Sequence, residues 1–404
     1  MNRRAAYAGI IVGLIGLLVL GLVGCGGTTT TTGAATSTTA GPTTTGAQST
    51  TTAAPAGSIK VGFSGPLTGN AASVGQDYLN GVKLYIDKVN AAGGVNGQKI
   101  EILAEDDQAD PKNSTIVAQK LIDAGVIAVI GPLTSGSTIP TMSLYNKAGI
   151  AQITPATNPD VTSQGIKGIF RVDPDDFAQG GNTGKYVAEK WGVKTVAIIH
   201  DKQAFGQGVA EQFQKGFEGA GGTVTSVNSV TPGDVDFNAV LTKVKSENPE
   251  MIYYGGVAAE AGLIVAQLRE LGMTQKFMGP DQLFGPEFIK IGGAGAEGAY
   301  ITFVAPPSDS TPELKAFFDE FKAAFGAEPF VGQYGYDSAV LIAEGVKLAG
   351  KAEGPALIDA LHANTIKGVL GDYTFDETGA LAGGGPIYIY QVKEGKDVFV
   401  EKIG

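Results

Sequence analysis

Apolar positions recur along residues 58–404 with two alternating periods. Residues 58–64 (Ser-Ile-Lys-Val-Gly-Phe-Ser) form a short strand that ends at Gly65-Pro66. Over 75–91 the apolar residues Val82, Tyr85, Ile86 and Val89 fall three and four apart, which predicts a helix, and Gly93-Gly94 stops it. A strand at 99–103, a helix at 113–124, a fully apolar strand at 126–130, a helix from about Ser137 and a strand at 149–154 follow. The rhythm then restarts. Strands are expected at 195–200, 223–227, 250–254 and 276–278, with helices at 206–218, 237–246 and 258–271 between them. A strand at 299–304, helices at 312–325, 334–349 and 355–364, and strands at 386–392 and 397–402 complete the chain. Strands alternating with helices at this spacing predict parallel sheets with right-handed crossovers, so the fold class is α/β with two doubly wound lobes. In such folds a ligand sits beyond the carboxyl ends of the strands. With two lobes, the cleft between them is the expected site.

The first sixty residues follow neither period. Arg3 and Arg4 precede an uncharged run from Ala5 to Gly24, the pattern of a signal peptide over 1–24. The run ends in Leu22-Val23-Gly24-Cys25, which resembles a bacterial lipoprotein box, with Cys25 as lipid-bearing mature N-terminus. Residues 28–57 hold 14 threonines and no charge, so 25–57 reads as a disordered tether. The functional part is then 58–404, held outside the cytoplasmic membrane by a lipid anchor alone.

Composition narrows the chemistry. The net charge of −11 argues against nucleic acid as partner, and one cysteine excludes a disulfide framework or a cysteine metal cluster. The two histidines, His200 and His362, lack zinc-hydrolase spacing. There is no Gly-x-Ser-x-Gly elbow. Gly180–Tyr186 lacks the first glycine and the final hydroxyl of a phosphate loop, and Gly293–Gly298 precedes a strand where a dinucleotide motif would open a helix. His200-Asp201 reads as a hydrogen-bonded turn. The chain is therefore expected to bind rather than catalyse, with no cofactor and no metal.

Hydroxyls at strand ends carry the binding signal. Gly131-Pro-Leu-Thr134-Ser135-Gly-Ser137-Thr138 follows a buried strand and opens a helix. One hydroxyl suffices for a helix cap, so Ser135, with Thr134 second, is a candidate donor to a ligand carboxylate. The next strand ends in Thr154-Pro-Ala156-Thr157, a second such loop. In the second lobe the strand-end residues are Phe205, Val257 and Asp281. Asp281 is a candidate acceptor for a ligand ammonium or else a surface-turn aspartate; Asp176 is a weaker alternative for the same role.

Together, Ile59–Gly69, Gly94–Gly97, Gly131–Pro140, Ile199–Gln203, Tyr253–Gly256 and Phe277–Pro280 resemble the periplasmic leucine/isoleucine/valine-binding proteins, the substrate-binding lipoproteins of branched-chain amino-acid ABC transporters. The resemblance implies a type I periplasmic binding protein with three hinge crossings. Lobe 1 is then 58–176 plus 305–384, and lobe 2 is 177–304 plus 385–404. It implies that Ser135, Ala156 and Thr157 hold a ligand carboxylate and Asp281 its ammonium. It also implies a monomer that closes on an amino acid and docks on an ABC permease; a sensory module of the same fold is the alternative. Phe205, Val257 and Val74 stand where the family often has tyrosines or another aromatic, and Asp281 is shorter than the glutamate of some members. A ligand other than leucine, including an amide or an aromatic or short carboxylic acid, is therefore open.

Overall fold

The computed structural model describes residues 57–403. The expected signal peptide, Cys25 and nearly all of the threonine-rich tether lie outside the described residues.

The first half runs β1 (Ile59–Gly65), α1 (Ala72–Ala91), β2 (Ile100–Asp106), α2 (Pro111–Asp123), β3 (Ala128–Ile130), α3 (Ser135–Lys147), β4 (Ala151–Thr154) and β5 (Ile169–Arg171). Its sheet is all parallel in the order β2-β1-β3-β4-β5. The second half has α4 (Thr183–Glu189), β6 (Thr195–His200), α5 (Ala204–Gly219), β7 (Thr223–Ser229), α6 (Asn238–Glu247), β8 (Met251–Gly255), α7 (Ala258–Glu270), β9 (Lys276–Gly279), α8 (Pro286–Gly292) and β10 (Tyr300–Phe303). Its strands β7-β6-β8-β9-β10 repeat the order of the first sheet. The chain then returns to the first half as α9 (Pro312–Phe325), α10 (Gly332–Ala349), α11 (Gly354–Ala363) and the small hairpin β11 (Ile366–Lys367) with β12 (Asp372–Tyr373). There α10 packs on α1 and β3, and α11 on β4. Strands β13 (Ile387–Lys393) and β14 (Lys396–Ile403) finish the second sheet. The chain thus passes between the sheets three times.

The repeated order places a topological switch in each sheet, between β1 and β3 and between β6 and β8. Loops diverge there and leave a crevice at the strand ends. The sheets are buried on both faces, which explains the continuous apolar runs in β3 and β8. Two glycines show how tightly this is built. Gly131, just past β3, has φ +101°, and a Cβ there would lie 2.0 Å from the Ser64 carbonyl oxygen. On α10, a Cβ at Gly335 would lie 2.0 Å from the Tyr78 carbonyl oxygen, so α10 and α1 meet at backbone distance.

The structure differs from the sequence pattern in four places. The second sheet is mixed, because β13 and β14 form an antiparallel hairpin at its edge. Strand β5 was not foreseen: it is three residues long, and its last, Arg171, is charged yet 1% exposed. Helix α8, a single short segment opened by Gly285-Pro286, and the two-residue strands β11 and β12 carry too little periodicity to register.

Candidate functional site

Both switch points open on one cavity of about 270 Å³. Eight of the nine candidate ligand residues line it: Val74, Thr134, Ser135, Ala156, Thr157, Phe205, Val257 and Asp281. The ninth, Asp176, is not in its wall. Asp176 is fully buried beneath the Thr157 loop, and its backbone N–H donates to the Thr157 carbonyl at 2.8 Å.

The hydroxyls around α3 divide their labour. Thr134 is the helix cap: its Oγ1 accepts from the Ser137 N–H at 3.3 Å, in the extended conformation a cap needs. Thr138 donates to the Pro132 carbonyl at 2.9 Å, and Thr154 donates to the same oxygen at 2.7 Å, which ties the ends of β3 and β4 together. Ser135 is different. Its Oγ accepts from the Asn158 N–H at 3.3 Å, so its own proton is left to donate into the cavity. It stands at the amino end of α3, where first-turn N–H groups have no intrahelical partner and the helix dipole favours an anion. Thr157 is 3% exposed, and its hydroxyl, which has no partner of ordinary hydrogen-bond geometry among the described residues, lies within reach of the Asp176 carboxylate behind the loop. The N–H of Ala156, by contrast, is already turned to Thr154 Oγ1 at 3.1 Å. The donors this loop offers a ligand are therefore those of Thr157.

Arg171 holds the second loop from behind. Its guanidinium donates to the carbonyls of Thr157 (3.4 Å) and Asn158 (3.1 Å), to Thr162 Oγ1 (2.7 Å) and to Asp175 (3.3 Å).

The opposite wall is acidic. Asp281, opening a short helical turn after β9, is 6% exposed rather than a surface-turn residue, and its Oδ1 has no partner among the described residues. Burial drives its carboxyl up to about 6. Asp173 also lines the cavity, and burial, with Asp281 second, holds its carboxyl well above the usual range. Asp173, Asp281 and Tyr334 bring side-chain oxygens without a partner among the described residues to this wall, while Asp176, Tyr253 and Gln179 hold further ones outside it. A buried unpaired acid is costly, so this cluster suits a cation with several N–H donors. The remaining walls are apolar and aromatic, including Tyr78, Leu133, Phe205, Val257, Phe303 and Phe330.

Asp201 lines the cavity too, but its Oδ1 accepts from the Gln203 N–H at 2.9 Å, and His200 Nδ1 accepts from the Lys202 N–H at 3.2 Å. The pair behaves as a hydrogen-bonded turn. Sequence reasoning missed Asp173, Arg171, Tyr334 and Phe330. Asp173 had a signal, a carboxylate beside Pro174 at the first passage between sheets. Tyr334 and Phe330 come from the start of α10 and the loop before it, far from either strand-end set.

Comparison with known proteins agrees with this geometry. A family model described as "Periplasmic binding protein" matches residues 58–397. The leucine-, isoleucine-, valine-, threonine- and alanine-binding protein of Pseudomonas aeruginosa is 38% identical over 330 residues, covering 81% of this chain and 88% of that protein. Among solved structures, the branched-chain amino acid transporter substrate-binding protein LivJ of Streptococcus pneumoniae, in complex with isoleucine, is 30% identical at TM-score 0.78 over 85% of this chain and 99% of that one. The leucine-binding protein LivK of Thermotoga maritima is 28% identical at TM-score 0.80, over 86% of this chain and 99% of that one. The chain belongs to the type I periplasmic binding proteins of the branched-chain amino-acid-binding family.

Proposed function

We propose that this protein is the substrate-binding component of an amino-acid importer and captures a free α-amino acid in the cavity between its two sheets. The observation that carries this reading is the charge pattern across the cavity. Hydroxyl donors at the amino end of α3 and in the loop after β4, Ser135 and Thr157, face a ligand from one half; a buried carboxylate, Asp281, faces it from the other. That pairing matches a zwitterion, with the carboxylate at the first half and the ammonium at the second. Excluding water on closure strengthens both charged contacts.

In this reading lobe 1 (58–176 with 305–384) receives the ligand. Lobe 2 (177–304 with 385–404) closes on it by hinge motion at the three passages, a shift toward a state the ligand prefers. The protein works by binding alone, as a monomer, lipid-anchored outside the membrane through Cys25 and delivering to an ABC permease. Among the described residues, no helix is long and apolar enough to cross a membrane. The test is a thermal-shift screen of purified residues 58–404 against amino acids, their amides and organic acids, since a ligand that binds only the native state raises the melting temperature. The reading requires α-amino acids to stabilise and their amides or des-amino acids to fail. Stabilisation by carboxylic acids without an amino group would contradict it.

A further inference from the structure

A second cavity of about 280 Å³ adjoins the first, and both are lined by Ala71, Val74, Val257, Gln282 and Phe330. The groups that would hold the zwitterion, Ser135, Thr157 and Asp281, line only the first. A ligand anchored by them and extended by its side chain toward Val74 and Val257 would therefore cross the shared boundary. At that boundary stand two short valines, one from each half, and Val257 is 38% exposed.

The wall behind the boundary is aromatic. The rings of Phe284 and Phe303 lie 4.1 Å apart at 14°, and that of Phe330 lies about 6 Å from both, at 8° to Phe284 and 20° to Phe303. Phe303 and Phe330 line the first cavity, and Phe284 and Phe330 the second, so one triangle of nearly parallel rings borders both. Asp77, which lines the second cavity, accepts through Oδ2 from the N–H groups of Phe330 (2.9 Å) and Val331 (2.7 Å). Glu287, the other acid of the second cavity, lies exposed at its edge.

From this geometry we infer that the site takes an α-amino acid with an aromatic side chain, its ring passing between Val74 and Val257 against the cluster of Phe284, Phe303 and Phe330. This rests on the amino-acid reading above and specifies the side chain within it. An apolar side chain that fills such a path gains burial a four-carbon chain cannot reach, and offset aromatic packing adds to it.

Isothermal titration of the purified chain with L-phenylalanine and L-leucine tests it. Phenylalanine is expected to bind more tightly by roughly tenfold, the scale on which hydrophobic pockets discriminate added carbons. Val257→Trp narrows the passage from the second half and should lower the phenylalanine-to-leucine preference at least roughly tenfold. Should that variant fail to fold, Val74→Trp narrows it from the first half with the same expected effect. Leucine binding as tight as phenylalanine in the unaltered chain, or both ligands weakened by the same factor in the tryptophan variants, overturns the inference and leaves the amino-acid reading standing. Binding of neither, with another α-amino acid stabilising the protein in the thermal-shift screen, overturns the inference alone; stabilisation by no α-amino acid removes both.

Discussion

At the residue scale, the site depends on which polar groups the fold leaves without partners. Ser135 and Thr157 keep donors for a ligand while their neighbours Thr134, Thr138 and Thr154 are committed to a cap and a loop tie. A hydrogen bond to a charged group is worth ~1.5–3 kcal/mol. Ser135→Ala and Thr157→Ala should each weaken amino-acid binding by roughly tenfold to a hundredfold by calorimetry, whereas Thr138→Ala should chiefly lower stability. Asp281 sets the pH dependence. Burial raises its folded-state pKa from the ordinary 3.8 to about 6, so folding favours the protonated form relative to the unfolded chain, while the group is still mostly ionised at pH 7. The group's penalty on the free protein is absent below the unfolded value, grows through pH 4 to 6 and is complete above it. An ammonium ligand needs the ionised form, so affinity should fall roughly tenfold from pH 7 to pH 5, and Asp281→Asn should both weaken binding and flatten that slope. An unchanged slope in that variant would remove Asp281 from the site. The places of Ser135 and Asp281 in the cavity wall are legible in sequence because each lies just past a strand. Arg171 is not, since a lone arginine in a short segment gives no sign that it will be buried under a loop.

At the element scale, α10 organises the first half. Asp337, buried on this helix, accepts from the N–H groups of Val369 (2.7 Å) and Leu370 (2.9 Å) and from the Tyr373 hydroxyl (3.0 Å). It pins the β11–β12 hairpin to the helix. Asp337→Ala should destabilise by roughly 3 kcal/mol in urea melts, because it strands buried donors. Gly335→Ala should also lower stability, through the backbone contact of α10 with α1. The long helices and the apolar strands were readable from periodicity alone, with boundaries off by no more than three residues. Thus α3 begins at Ser135, two residues before the expected start, because Thr134 rather than a later residue is the cap. Elements of two or three residues, such as β5, β11 and β12, exist only because neighbours offer them a sheet edge or a hairpin partner, and no local pattern announces them.

At the scale of the whole molecule, two copies of one strand order face each other at their switch points, which is why a single cavity receives loops from both. The halves also touch directly. The Asn158 side-chain amide donates to the Ala204 carbonyl at 2.7 Å, while the Asn158 N–H donates to Ser135 Oγ at 3.3 Å. Ser135, the loop of Thr157 and the second half are thereby joined in one chain of hydrogen bonds. Asn158→Ala should weaken binding of different amino acids by a similar factor of roughly five to ten and shift small-angle scattering of the liganded protein toward a larger radius of gyration. The two-lobe plan was legible because the strand–helix rhythm restarts at Thr195. The residues that α10 and its preceding loop bring back to the cavity, Phe330 and Tyr334, were not, because that return depends on the chain passing between the sheets a second time. The most direct measurement of the central claim is a crystal structure of the protein with a bound amino acid. The account predicts the ligand carboxylate within hydrogen-bonding distance of Ser135 and Thr157 and its ammonium against Asp281; a ligand bound in the reverse sense, or outside the space between the two sheets, would contradict it.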